Sequence, residues 1–375
     1  MVTEKAPLAQ IEQPVYHKLS LLTIGLVALV VALYYARPVL VPLIFALLLA
    51  MLLDGGVQWM VRRRVPHALA IALMVLMSMG CIAGVGYFIG TQAIHFTETL
   101  PEIEKKLDRS LKDGERWIQG EFGMKRSEVK NAVEKAKDDG VEKGKAMVGT
   151  TLITMGSVFG FFFLLPVFTF MILLYKKLLM TFITKLFHEK NHQTLREVMS
   201  QIRGVVQSYL RGLVFETLIV AVLNWIGLMA IGVRYALLFA VLGAVLNLIP
   251  YIGMMIATLL PMLIAFATQD LQAALLVLLL YSSVQFVDNN LIVPKVVASR
   301  VQLNALVSVI VVLIFGTLWG IPGMFLAIPL TAMLKVIFDR VPSLIPFGYV
   351  LGEGNESGQE LQILPDTRTV QAPEK

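Results

Sequence analysis

Repeated stretches of almost unbroken apolar sequence, several of them near the length of a bilayer crossing, constrain this chain more than any other feature. A spanning helix needs about 20 mostly apolar residues, and inside hydrocarbon each backbone N–H and C=O must be satisfied within the structure. The first stretch runs from Leu19 to Ala36 and breaks at Arg37-Pro38. The second, Val39 to Leu53, is short and reads as tilting into the interface through Trp59, and the third runs from His67 to Gly90. A fourth covers Met147 to Tyr175, a fifth Val205 to Val233, and a later one Leu271 to Val287. Composition agrees: 57% of the 375 residues are hydrophobic and only 15% are charged, against about 25% charged in an average soluble domain.

Two further apolar stretches are interrupted. Tyr235–Leu248 and Tyr251–Ala267 are split by the run from Asn247 to Gly253, which contains Pro250. Leu303–Leu318 and Ile321–Phe338 are split by Trp319-Gly320-Ile321-Pro322-Gly323. Halves of about 14 to 18 residues reach about 21 to 27 Å, short of or marginal for a core of about 30 Å. Length therefore favours re-entrant hairpins, while loop charge fits hairpins and paired short spans equally. Short, Gly/Pro-interrupted segments in paired positions point to a transporter's binding site. The expected arrangement has the first pair opening outward, the second inward, and the two breaks meeting near the midplane.

Lys and Arg outnumber Asp and Glu by 32 to 26, and the surplus flanks apolar runs. That is where the positive-inside rule puts it; no basic soluble domain interleaved with aromatics exists to bind nucleic acid. Arg62-Arg63-Arg64, Lys176-Lys177, Lys295 with Arg300, and Lys335 with Arg340 all fall inside if both termini are cytoplasmic. Residues 1–18 then form a polar cytoplasmic N-terminus without a secretory signal, and 19–90 carry three spans. Residues 91–146 are polar, with Phe96, Leu100, Ile103, Leu107 and Leu111 at helical spacing. They read as an amphipathic helical arm outside the bilayer, a connector or an oligomer contact. Residues 147–175 are the fourth span, 176–204 an amphipathic cytoplasmic helix, 205–342 a transport core and 343–375 a polar tail. The sum is an all-α polytopic membrane protein with about eight membrane helices, each broken pair counted as a unit.

Few polar groups interrupt the spans. Glu216 is ionisable within the fifth, a functional candidate by default; Arg211, five residues earlier, is a poorly aligned local partner. Asp288-Asn289-Asn290 reads either as a polar turn opening a link to Arg300 or as donors and acceptors lining a polar solute's path. Asn224 and Asn247 are lesser candidates. His188-Glu189-Lys190-Asn191-His192 fits the zinc pattern H-E-x-x-H. Its charged intervening residue and the lack of a third ligand make it a chance match. Cys81, the one cysteine, reads as a small buried apolar residue. No Walker motif, catalytic triad or dinucleotide loop is present, so neither an enzyme nor a cofactor is expected.

Several runs resemble the autoinducer-2 exporter family. They are Ser208-Tyr209-Leu210-Arg211-Gly212, Leu248-Ile249-Pro250-Tyr251-Ile252-Gly253, Val287-Asp288-Asn289-Asn290-Leu291-Ile292-Val293-Pro294-Lys295, Phe315-Gly316 and Gly320-Ile321-Pro322-Gly323-Met324-Phe325-Leu326-Ala327-Ile328-Pro329. The likeness departs at Met254, where the family often has Pro, and at Gly316, where it often has paired glycines. The resemblance implies a bacterial inner-membrane permease and homo-oligomer that exports a small polar molecule, an export that can be ion-coupled, with sodium/proton antiport as the alternative. Arg211, Glu216, Asn247, Pro250, Gly253, Asp288, Asn289, Asn290, Pro294, Lys295, Gly320, Pro322 and Gly323 are the candidate pathway residues. A non-transporting membrane scaffold is the rival from another class.

Overall fold

A computed structural model describes residues 15–92, 94, 161–249, 252–297 and 303–352. Most of the expected arm, the first half of the fourth span, Pro250 and the tail beyond 352 lie outside the described residues. Among those described, the regular structure is helical, without strands. The helices are α1 (Val15–Tyr35), α2 (Arg37–Arg62), α3 (His67–Gln92), α4 (Phe161–Leu174), α5 (Lys176–Leu186) and α6 (His192–Ile231). There follow α7 (Ala236–Asn247), α8 (Ile252–Thr268), α9 (Leu271–Val287), α10 (Ala305–Phe338) and α11 (Ile345–Leu351). By length and composition alone, five of the described helical segments could cross a membrane, α10 counted as one of them, or six if α4 and α5, bent by 67°, make one span. Apolar residues are exposed all round α1, among them Leu19, Leu22, Ile24 and Leu26. A helix apolar on every face belongs in lipid or a core.

The spine is α6, 40 residues and about 60 Å long. Ile202, Val206, Tyr209, Glu216, Val220, Asn224 and Leu228 recur at helical spacing on its buried face. It stops at Gly232, whose φ of 82° allows the left-handed cap, with N–H bonds returning to Leu228 and Met229.

Both interrupted pairs are hairpins. At the open end of α7–α8, Gln269 Nε2 donates to the Gly232 carbonyl at 2.9 Å. At its tip, Gly253 lies so close to the Leu246 carbonyl that any Cβ would collide with it. In α10 the backbone leaves helical geometry at Gly320, with φ 68° and ψ −148°, a region open essentially only to glycine. A Cβ on Gly323 would strike the Phe315 carbonyl, although eight residues of straight helix span about 12 Å. The chain has doubled back. Short α11 ties the open end: the Asn304 N–H donates to the Leu351 carbonyl at 3.0 Å, and Gly348 packs on Asp339.

These hairpins enter from opposite ends of α6. The α7–α8 ends sit at Gly232, past its C-terminus; the α10 ends sit near its N-terminus, where Arg340 Nη1 meets Glu197 at 3.5 Å. Their tips approach its middle. Asn247 reaches Glu216, and Trp319 joins a cluster with Val206, Tyr209 and Leu210 while donating to the Leu33 carbonyl.

Five local expectations change. The second stretch is not short: α2 runs for 26 residues, passing Asp54 because other helices supply that carboxylate with cations. The surface helix expected over 176–204 divides into α5 and the first three turns of α6. The link after Val287 is not a loop, since residues Asp288–Val297 continue α9 as a π-helix. Cys81 is exposed on α3; its apolar surroundings in sequence are a lipid-facing surface, not a core. The tail, too, begins with structured α11.

Candidate functional site

Three elements converge on one buried polar group. Glu216 lies mid-way along α6, Asn247 is the last residue of α7, and Asp288 opens the π-helical segment. Asn247 Nδ2 donates to Asp288 Oδ2 at 3.1 Å and to Glu216 Oε1 at 3.5 Å, so one amide serves two carboxylates. Glu216 is 7% exposed and Asp288 1%. Asp288 Oδ1 has no hydrogen-bond partner. Among the described residues, no Lys or Arg pairs with either carboxylate.

Local sequence explains each position. The buried row of α6 carries Glu216 inward. The Gly253 close approach ends α7 at Asn247 and aims its C-terminal turn at α6; the carbonyls of that turn add partial negative charge. The change from α- to π-helical turns falls at Asp288, and such turns often mark functional sites. Val220, Ala244, Val284 and Ile292 form an apolar cluster beside the group. Two carboxylates in such surroundings, with acceptors to spare, call for positive charge: a proton or a metal cation.

The other expected site residues separate from this group. Asn289 and Asn290 are exposed and tied to their own helix, through Gln285 and the Phe286 carbonyl respectively. Pro294 and Lys295 are exposed on the π-helical segment. Arg211 is exposed beside Gly55 of α2 and makes no pair with Glu216. Gly253, Gly320 and Gly323 shape the hairpin tips, and Pro322 is exposed at the second tip. His188 is extended, Glu189–Asn191 form a 3₁₀ turn, and His192 contacts the Phe187 carbonyl. The two histidines therefore lack the common helical face that zinc binding would need.

A second charged junction escaped the sequence reading. Asp54, buried on α2, accepts from Lys176 Nζ at 2.9 Å, from Arg203 and from Gln58. Its signal was faint: an aspartate directly after an apolar run, followed by Gly55-Gly56.

Comparison with known proteins points one way. A family model described as AI-2E family transporter matches residues 23–343. The AI-2 transport protein TqsA of Escherichia coli K12 is 29% identical over 322 residues, covering 84% of this chain and 90% of TqsA. YhhT of the same strain is 26% identical over 343 residues, covering 88% of this chain and 93% of YhhT.

Proposed function

The chain belongs to the AI-2E transporter family, and we propose that within it this protein is an ion-coupled permease exporting a small polar molecule from the bacterial cytoplasm. It is a multi-pass membrane transporter; cargo, coupling and direction are our reading. One observation carries it: the buried Glu216–Asn247–Asp288 group at the tip of a hairpin, two acids that share one amide and meet no Lys or Arg among the described residues. A buried ionisable group that no partner neutralises is expensive at membrane depth, and its retention fits an ion that comes and goes. Hairpins entering from opposite ends of α6 suit alternating access, in which one repeat moves against the other around a central site. The name of TqsA supports a small polar signal as cargo. The charge pattern supports cytoplasmic termini in the inner membrane.

The second reading is a sodium/proton antiporter, favoured by the presence of two carboxylates in one site. Proteoliposomes separate the readings. For ion-coupled export, an imposed ion gradient drives solute flux, and Glu216→Gln removes it. Ion exchange that proceeds fully without any solute supports the antiporter. The solute is found by comparing the medium of cells with and without the protein. Flux unaffected by both Glu216→Gln and Asp288→Asn would overturn the proposal and favour a scaffold.

A further inference from the structure

Asn224 lies two turns beyond Glu216 on the same buried face of α6, with Val220 between them. It is 2% exposed, and its side-chain oxygen meets no donor. Among the described residues, that oxygen and Asp288 Oδ1 are the buried side-chain atoms left without a partner. Both border one apolar cluster. Val220 packs there with Val284 and Ile292, which lie one helical turn to either side of Asp288. The row 216–220–224 of α6 thus faces the row 284–288–292. An unsatisfied buried acceptor is costly, and a retained one asks for a ligand.

We propose that Asn224 is a further residue of the transport site, a neutral oxygen ligand to a dehydrated monovalent metal cation of the sodium type on its way to the Glu216–Asp288 pair. The proposal rests on the ion-coupled reading and names its ion. Protons alone leave the problem unsolved, because a carboxamide oxygen does not take up a proton in the accessible pH range. A neutral hydroxyl compound would satisfy both oxygens yet leave two carboxylates uncompensated. Divalent ions fit poorly: Ca²⁺ takes about six to eight oxygens and Mg²⁺ keeps several waters. Here apolar side chains wall the site, and no group of three His, Cys, Asp or Glu occurs among the described residues. A monovalent cation accepts carboxylate, amide oxygen and the carbonyl end of a half-helix, and releases them readily.

The test uses the full-length protein, purified in detergent, with radioactive sodium binding measured at constant pH and choline as the balancing ion. Wild type binds sodium, and sodium raises its melting temperature. Asn224→Leu keeps the shape, loses the oxygen and weakens sodium binding by about tenfold or more, while melting in choline alone stays at the wild-type value. Asn224→Asp keeps an oxygen in place and binds sodium at least as tightly as wild type. If Asn224→Leu does not fold, the Asp variant decides: weaker sodium binding in it overturns the proposal. Equal sodium binding by wild type and a folded Leu variant also overturns it. So does sodium binding that micromolar Ca²⁺ or Mg²⁺ displaces. Absence of sodium binding, with flux driven by a pH gradient, overturns it and leaves the ion-coupled reading intact. If neither gradient drives flux, both fall.

Discussion

Among the described residues, two places bury a carboxylate at a junction of three elements, and they are finished differently. Asp54 of α2 sits with Lys176, at the bend between α4 and α5, and with Arg203 of α6, and Gln58 adds another donor. Two cations more than balance it, and both are 41% exposed at the side chain. Among the described residues, Glu216 and Asp288 have one shared amide and no cation, and one of their oxygens has no hydrogen-bond partner. A buried charge with its counter-ions in place joins helices; a pair of like charges without them stays costly until something mobile arrives. We read the first as a structural junction and the second as a working site.

That contrast can be broken. The largest expected effect is on transport. The double variant Glu216→Gln, Asp288→Asn should reduce flux in proteoliposomes to background while its melting temperature in detergent stays level or rises, since neutralising uncompensated charge relieves strain on the fold. A marked fall in melting temperature would make this pair structural as well. Next comes Asp54→Ala, which leaves two cations facing each other. It should cost about 1–3 kcal/mol of stability, seen as a lower melting temperature, with flux per folded molecule kept. Loss of flux at unchanged melting would move Asp54 into the transport machinery. Smaller again is Lys176→Ala. Arg203 still serves Asp54, so about 1 kcal/mol or less is expected, and high salt should shrink the difference from wild type. The smallest is His188→Ala, for which no change in flux, melting or zinc content is expected; zinc retained by wild type and lost in the variant would revive the metal reading.

Much of the fold could be read in advance because its causes are local. The boundaries of α3, α9 and both hairpins follow from runs of apolar residues ended by Arg, Asp, Gly or Pro. The hairpin tips follow from Gly253, Gly320 and Gly323, where the chain needs either backbone contact or a positive φ. The π-helical continuation past Asp288 could not be read this way. Asp-Asn-Asn followed by Pro294 looks like a link, and only packing against α6 keeps it helical.

The site divides along the same line. Glu216 and Asp288 stand out in sequence as acids within or beside apolar spans, whereas Asn289, Asn290 and Arg211 looked equally suitable and lie outside the group. Periodicity tells which residues share a face, but not which face another helix will cover. Asn247 bridges partners 31 and 41 residues away, and Asp54 finds its cations 122 and 149 residues along. The sequence by itself determined that this chain is helical, crosses a bilayer and breaks its helices twice, because hydrophobic length and glycine backbone freedom act over a few residues. Tertiary structure alone decided which buried acid would be neutralised and which left unpaired, because that balance depends on charges brought together from distant helices.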